Sequence, residues 1–312
     1  MPAIKTFFNL VKNNRKDIPN ALLRRFARSP ISRPVSDKIY LKLSYRVIFH
    51  KKLDFDNPKT FNEKLQWIKL YDRNPEYTAM VDKYQVREYI EKKLGDKYLI
   101  PLLGVWDDPK KIDFNSLPEK FVLKCTHDSG SVILCDKKSL DETLVRKKLA
   151  SKLKKNMFWW GREWPYKNVK PQIIAERFMQ DSSGELRDYK FMCFNGKVKC
   201  SFVCSDRFSD QGLHVTFFDK EWNVMPFERS FPSVKEGLPK PANYDKMLEL
   251  AETLSEGIPF VRVDFYEVND QIYFGELTFF PGNGMEAFQP EEWDYQLGEW
   301  ITLPERKKKR ER

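Results

Sequence analysis

The chain has 312 residues, 14% of them aromatic, and a formal net charge of +10; that length and apolar content support a core without disulfide or metal staples. The charge sits at the ends: residues 1–35 hold eight Lys or Arg against one Asp, residues 305–312 six against two Glu, and the body between them is left at −1. A nucleic-acid partner, which needs a basic face on the fold itself, is therefore not expected, and no apolar run reaches the length of a signal sequence or membrane span.

The opening segment, residues 1–35, mixes Ile4, Phe7, Phe8, Leu10, Val11, Leu22, Leu23 and Phe26 with Lys5, Lys12, Arg24, Arg25 and Arg28. Such a basic amphipathic segment suits either packing on its own domain or resting on the anionic inner face of a membrane. Residues 36–80 read as a helical region, in which Thr60-Phe61-Asn62-Glu63 has the capping-box form, a hydroxyl followed three residues later by a carboxylate. A second helix is predicted over 81–94, ended by Gly95. Short apolar runs at 98–101 and 120–124 read as strands, and 140–153 reads as a basic helix. Trp159, Trp160 and Trp164 crowd a loop with Gly and Pro. Strands are expected again at 173–176, 189–194, 198–203 and 214–218, with Asn195-Gly196 as a hairpin turn. A helix over 244–256 precedes a last hairpin, 261–266 with 272–280. The mixture is α+β with mostly antiparallel pairing.

Five cysteines, Cys125, Cys135, Cys193, Cys200 and Cys204, lie mostly in these apolar runs and read as buried thiols of a reducing, cytoplasmic compartment. Cys200, Cys204 and His214 match no zinc spacing.

In the last hairpin, alternation puts Arg262, Asp264 and Tyr266 on one face of their strand. Pairing around the Asn269-Asp270 turn sets Asp264 opposite Glu276 and Arg262 opposite Thr278. Two acids side by side on apolar strands repel unless a cation joins them, and oxygen ligands favour magnesium, which combines carboxylates with nucleotide phosphates. Equally, both could face solvent or pair with Arg262 and lysines.

Arg262-Val263-Asp264-Phe265, followed by Gly275-Glu276-Leu277-Thr278-Phe279-Phe280-Pro281-Gly282, resembles the closing metal motif of ATP-grasp enzymes such as D-alanine:D-alanine ligase. Asp82-Lys83 resembles the family's opening motif. Phe121-Val122-Leu123-Lys124 with His127-Asp128-Ser129-Gly130-Ser131 resembles its strand lysine and the small-residue loop over the phosphates. Ile173-Ile174-Ala175-Glu176-Arg177-Phe178 resembles the interlobe hinge whose backbone reads adenine. Asp188-Tyr189-Lys190 resembles an Asp-x-Arg block with Lys for Arg, which keeps the charge and loses the bidentate fork. Thr278 stands where the family usually has Asn. Thr60-Phe61-Asn62-Glu63-Lys64-Leu65-Gln66-Trp67, Asp82-Lys83-Tyr84, Arg87-Glu88-Tyr89 and Tyr98-Leu99-Ile100-Pro101 resemble the TupA-like branch, associated with bacterial surface-polysaccharide and teichuronopeptide biosynthesis.

The resemblance implies an ATP-grasp domain over residues 81–304, with a small lobe at about 98–175, a large lobe at about 176–304 and a basic tail at 305–312. It implies ATP and Mg2+ as cofactors. Asp264, Glu276 and Thr278 would hold the metal. Lys83, Lys124, His127, Ser129, Gly130, Ser131, Glu176, Phe178, Asp188 and Lys190 would hold nucleotide. Arg262 and the Gly282 backbone would stabilise the tetrahedral intermediate, and Arg207 would hold the acidic substrate. The reaction implied joins an amine to a carboxylate through an acyl phosphate, the acid being a small-molecule or lipid-linked saccharide. Two rivals remain: an ATP-grasp sugar kinase, and a glycosyltransferase using Asp54-Phe55-Asp56 as a metal-binding Asp-x-Asp.

Overall fold

The structure is a computed structural model that describes residues 32–180, 186–205, 213–234 and 238–306. Residues 1–31, the tail from 307 and Arg207 lie outside the described residues.

The capping box forms as the sequence requires. The Thr60 hydroxyl accepts from the Glu63 amide at 3.2 Å, and the Glu63 carboxylate accepts from the amides of Thr60 and Lys59 at 3.2 and 2.9 Å. This starts the helix Phe61–Tyr71, which is preceded by the helix Asp37–Phe49. The helix expected over 81–94 is present as Val86–Leu94, its start displaced by five residues, and a separate short helix, Glu76–Val81, ends just before it. The break follows from Asp82, whose carboxylate accepts from the amides of Tyr84 and Gln85 at 2.8 and 3.2 Å and so starts a new turn.

Two antiparallel sheets follow. The first has four strands in the order β1-β4-β2-β3: β1 Leu102–Trp106, β2 Lys120–Cys125, β3 Ile133–Asp136 and β4 Ile173–Arg177. The strand predicted at 98–101 is displaced to β1, because a 3-10 turn at Asp96–Tyr98 occupies its start. β3 escapes notice in the sequence because its four residues are fewer than a pattern needs. The second sheet has five strands, ordered β10-β9-β5-β6-β7: β5 Asp188–Phe194, β6 Lys197–Ser205, β7 His214–Phe218, β9 Phe260–Val268 and β10 Gln271–Thr278. Short strands β8 Glu228–Arg229 and β11 Phe288–Gln289 pair at the edge.

Each sheet has its own core. The smaller packs Phe121, Leu123, Ile173 and Ala175 against the helix Glu142–Leu153 through Val145 and Leu149. The larger packs Phe191, Val261, Val263 and Phe265 against the helix Tyr244–Ser255. The five thiols are free, four of them buried, and burial pushes Cys125 and Cys135 up to about 11.

Candidate functional site

The cleft between the two sheets, about 380 Å³, is lined from one side by Lys83, Arg87, Lys124, Ser129, Gly130 and Glu176 and from the other by Asp188, Lys190, Arg262, Asp264, Tyr266 and Glu276. Strand pairing aligns its floor. Glu276 on β10 sits opposite Asp264 on β9, Asp264 opposite Lys190 on β5, and Lys190 opposite Phe202 on β6. Side chains in one such row share a face.

The meeting of Asp264 and Glu276 depends on a bulge. Asn269 and Asp270 both have positive φ, 50° and 62°, which closes a two-residue turn. That turn pairs Val268 with Gln271 and Phe265 with Phe274. Continued without interruption, the register would bring Glu276 opposite Val263, on the core face. One extra residue, Gly275, slips the ladder so that Glu276 pairs with Asp264 and Thr278 with Arg262. The expected pairing is therefore present, and Gly275 rather than the turn produces it. A Cβ at Gly275 would stand 3.0 Å from the Asp264 carbonyl oxygen and 3.3 Å from the Asp264 Cβ, so glycine is what lets the strands approach here.

Charges alternate over this floor. Arg262 donates to Asp264 through Nε at 2.7 Å and Nη2 at 2.6 Å, and to Glu276 through Nη2 at 2.9 Å. Lys190 donates to Asp264 at 2.6 Å and also to Asp188. Burial raises the Asp264 carboxyl above its usual range, and Arg262 and Lys190, in direct contact, offset only part of that rise. Burial would raise Glu276 as well, yet Arg262, Lys83 and Lys190 outweigh it and hold the carboxyl below its usual range. For Lys190, burial lowers the ammonium and Asp264 and Asp188 more than restore it. Asp264 is 2% exposed and Glu276 40%, so Glu276 is the carboxylate open to the cleft.

A hard divalent cation fits these donors. Glu276 spends one oxygen on Arg262 and on the Thr278 hydroxyl, which donates at 3.2 Å, and its other oxygen has no hydrogen bond among the described residues. Among the described residues no group of three or more His, Cys, Asp or Glu gathers to hold a metal. Two carboxylates completed by phosphate oxygens is the ordinary arrangement for magnesium, which seldom has an all-protein cage.

Across the cleft, Lys124 donates to Glu176 at 2.7 Å and Arg87 approaches the same carboxylate at 3.5 Å. Lys83 donates to the Asp128 carbonyl, which ties it to the loop after β2. Of that loop, Ser129 and Gly130 line the cleft. Ser131 does not: it is buried, accepts from the Cys125 amide at 2.8 Å and donates to Asp128. His127 is 2% exposed and neither ring nitrogen has a hydrogen-bond partner among the described residues. Phe178 packs below the Lys120 ammonium, 5.8 Å from its ring. Phe178, His127, Thr278 and Gly282 are absent from the cleft lining. Asp54 uses its carboxylate on the amides of Asp56 and Asn57, at 2.8 and 3.1 Å, so the Asp-x-Asp run is a turn away from the cleft.

Sequence reasoning missed the second use of the capped helix. Asn62, Gln66 and Lys69, spaced along one face of Phe61–Tyr71, are 1%, 0% and 1% exposed. Gln66 donates to the carbonyls of Asn283 and Gly284 at 3.0 and 2.7 Å, Lys69 to that of Asn283 at 2.8 Å, and Asn62 exchanges hydrogen bonds with the Glu286 backbone. They hold a turn in which Gly282, Asn283 and Gly284 all have φ near +60°. Buried polar residues at helical spacing were the available signal.

A family model described as TupA-like ATPgrasp matches residues 63–302. This chain belongs to the TupA-like ATP-grasp family. The match runs from the capped helix through every strand of both sheets. No curated protein matches the sequence of this ATP-grasp protein. Among solved structures, D-alanine–D-alanine ligase from Bacillus anthracis complexed with ATP is 14% identical, the alignment covering 64% of this chain and 55% of that one, with TM-score 0.38. The ATP-grasp ligase PsnB with minimal precursor, Mg and ADP is 12% identical, covering 81% and 67%, with TM-score 0.40. L-amino acid ligase from Bacillus licheniformis is 13% identical, covering 72% and 49%, with TM-score 0.41. The TupA-like chain thus spans about half the length of two of these three structures.

Proposed function

We propose that this protein is an ATP- and magnesium-dependent ligase that joins an amine to a carboxylate through an acyl phosphate. The observation that carries the reading is the Asp264–Glu276 pair, bridged by Arg262 on the floor of a cleft whose other wall presents Lys83 and Lys124. An array of fixed cations around two acids suits a polyphosphate and its counter-ion. The four-stranded unit would be the small lobe and the five-stranded unit the large lobe.

The nucleotide phosphates would lie against Lys83, Lys124 and the Ser129 and Gly130 backbone, with the base toward Glu176. Asp264 and Glu276, with Thr278 beside them, would hold magnesium, which when bound neutralises phosphate charge and orients the terminal phosphoryl group. A carboxylate oxygen of the acid attacks the γ-phosphorus, and the bond to ADP breaks. The amine nitrogen then attacks the acyl carbon, phosphate leaves, and the nitrogen loses a proton. Arg262 and the Gly282 backbone would stabilise the oxyanion between these last events. Catalysis is positioning and charge neutralisation, so no Ser or Cys nucleophile is required.

The motif resemblance supports an acid that is a carboxylated sugar, free or lipid-linked, and an amine from an amino acid or peptide, in cytoplasmic steps of bacterial surface-polysaccharide synthesis. The turn role of Asp54 weighs against a glycosyltransferase.

Hydroxylamine trapping tests the reading. With ATP, magnesium and a panel of uronic acids, a hydroxamate should form in step with ADP, and Asp264→Asn or Glu276→Gln should lower the rate by ~100-fold or more. Full activity in both variants would remove the metal assignment, and ADP release without hydroxamate would favour a hydroxyl kinase.

A further inference from the structure

The helix Asp37–Phe49 has a buried side made of Tyr40, Leu41, Tyr45 and Val47. Its solvent side is ordered. Lys38, Lys42 and Arg46 are all exposed and stand four residues apart, and Ile39 and Leu43 form a second stripe one residue further on. Residues four apart on a helix lie one above the other, so the stripes are parallel. Ile39 is 55% exposed, Leu43 36% and Ile48 38%. The helix has one acid, Asp37, and it is turned away toward Arg73 at 3.3 Å and Arg162 at 3.7 Å. Trp160, 58% exposed, is tied to the same helix by the Tyr40 hydroxyl, which donates to the Trp160 carbonyl at 3.1 Å.

We propose that this face docks on an anionic lipid surface, with Lys38, Lys42 and Arg46 against the headgroups and Ile39, Leu43 and Trp160 entering the interface. Charge complementarity carries the choice: a stripe of three exposed cations, of which Lys42 alone is offset, by the nearby Asp54 carboxylate, meets a negative surface favourably. Separate aliphatic side chains flanked by cations, together with a Trp, suit the boundary between headgroups and acyl chains better than a protein groove, which takes a continuous apolar ridge. The chain outside the described residues adds to the same sign: residues 1–31 hold seven Lys or Arg and one Asp and join at Ser32, just before the N-cap Ser36. The inference does not depend on the ligase reading.

Vesicle co-sedimentation of the full chain tests it. Binding is expected to vesicles of phosphatidylcholine with phosphatidylglycerol and not to phosphatidylcholine alone. Replacing Lys38, Lys42 and Arg46 together by Gln should weaken it on the order of 100-fold. Ile39→Ser with Leu43→Ser should weaken it roughly tenfold, and this loss should persist at high salt, where screening leaves the apolar term. The melting temperature of the Lys38, Lys42 and Arg46 variant should match the parent, and that of the Ile39 and Leu43 variant should fall by only a few degrees, leaving it folded in the assay. The proposal is overturned if the parent chain does not bind the anionic vesicles, if both variants bind like the parent, or if soluble heparin competes equally and Ile39 and Leu43 are indifferent.

Discussion

Gly275→Ala probes the link between backbone register and chemistry. The added Cβ would meet the Asp264 carbonyl oxygen at 3.0 Å, a Tyr266 ring carbon at 3.2 Å and the Asp264 Cβ at 3.3 Å. The first of these is backbone, so relief requires β9 and β10 to part by a few tenths of an ångström. Overpacking of this kind costs ~1–3 kcal/mol, and at ~2–4 °C per kcal/mol the melting temperature should fall by about 2–12 °C. A 1 Å misplacement of reacting groups can cost ~100-fold, so a third of that displacement predicts a loss of about fivefold in hydroxamate rate. Gly257→Ala is the matched control. Its φ of +74° makes any side chain strained, but no atom lies within 4 Å of the new Cβ, and the cost is ~1–2 kcal/mol of backbone strain. Both variants should therefore melt earlier, and only Gly275→Ala should weaken Mn2+ binding, titrated in the presence of ADP. Equal Mn2+ affinity and equal rates in the two variants would refute the argument that the bulge sets the carboxylate pair.

Lys190→Met should leave Asp188 and Asp264 facing each other without their shared ammonium and cost ~3–5 kcal/mol; part of the lost melting temperature should return on adding Mg2+ with ADP. Gln66→Ala removes the donors to the Asn283 and Gly284 carbonyls, so stability should fall by ~1–3 kcal/mol. If that turn positions the Gly282 backbone, kcat should drop while the KM for ATP stays put, which steady-state kinetics decides. Buried Lys69 and half-buried Glu163, which act on each other electrostatically, predict a pH signature. Burial lowers Lys69 from 10.5 to about 8, and Glu163 opposes this; burial raises Glu163 from 4.5 to about 7 against the pull of Lys69. The raised Glu163 contributes stability that is present below pH 4.5 and lost as pH rises through about 7, and the depressed Lys69 contributes stability present above pH 10.5 and lost as pH falls through about 8. Lys69→Met with Glu163→Gln should therefore compare best with the parent between pH 7 and 8, and worse on either side, in melting temperatures measured across that range.

Much of the fold is legible in the sequence because its cues are local. The capping box at Thr60, the alternation through 261–266 and the Asn195-Gly196 turn each act within a few residues, and the corresponding helix and strands form. Where a side chain redirected the backbone, pattern reading failed: the turn that Asp82 caps moves the start of the helix expected over 81–94 to Val86. Among the site residues, Asp264, Glu276, Arg262, Asp188 and Lys190 were recognisable from motif order, and they converge on one cleft with Lys83, Lys124 and Glu176. Ser131 was not distinguishable from Ser129 by type. The structure turns it into the loop, where the Cys125 amide and Asp128 satisfy its hydroxyl.

The sequence by itself determined which chemistry the chain can carry: paired acids, ordered cations, and membership of the TupA-like ATP-grasp family. Only the tertiary structure decided how those groups meet. Side-chain period along a strand is two, so a single inserted residue sends a carboxylate to the opposite face. Gly275 is that residue, and its effect on Glu276 depends on a partner strand that no local pattern describes. The same holds for Asn62, Gln66 and Lys69, whose hydrogen-bonding partners lie more than two hundred residues away along the chain and become neighbours only when the helix and the turn after β10 pack together.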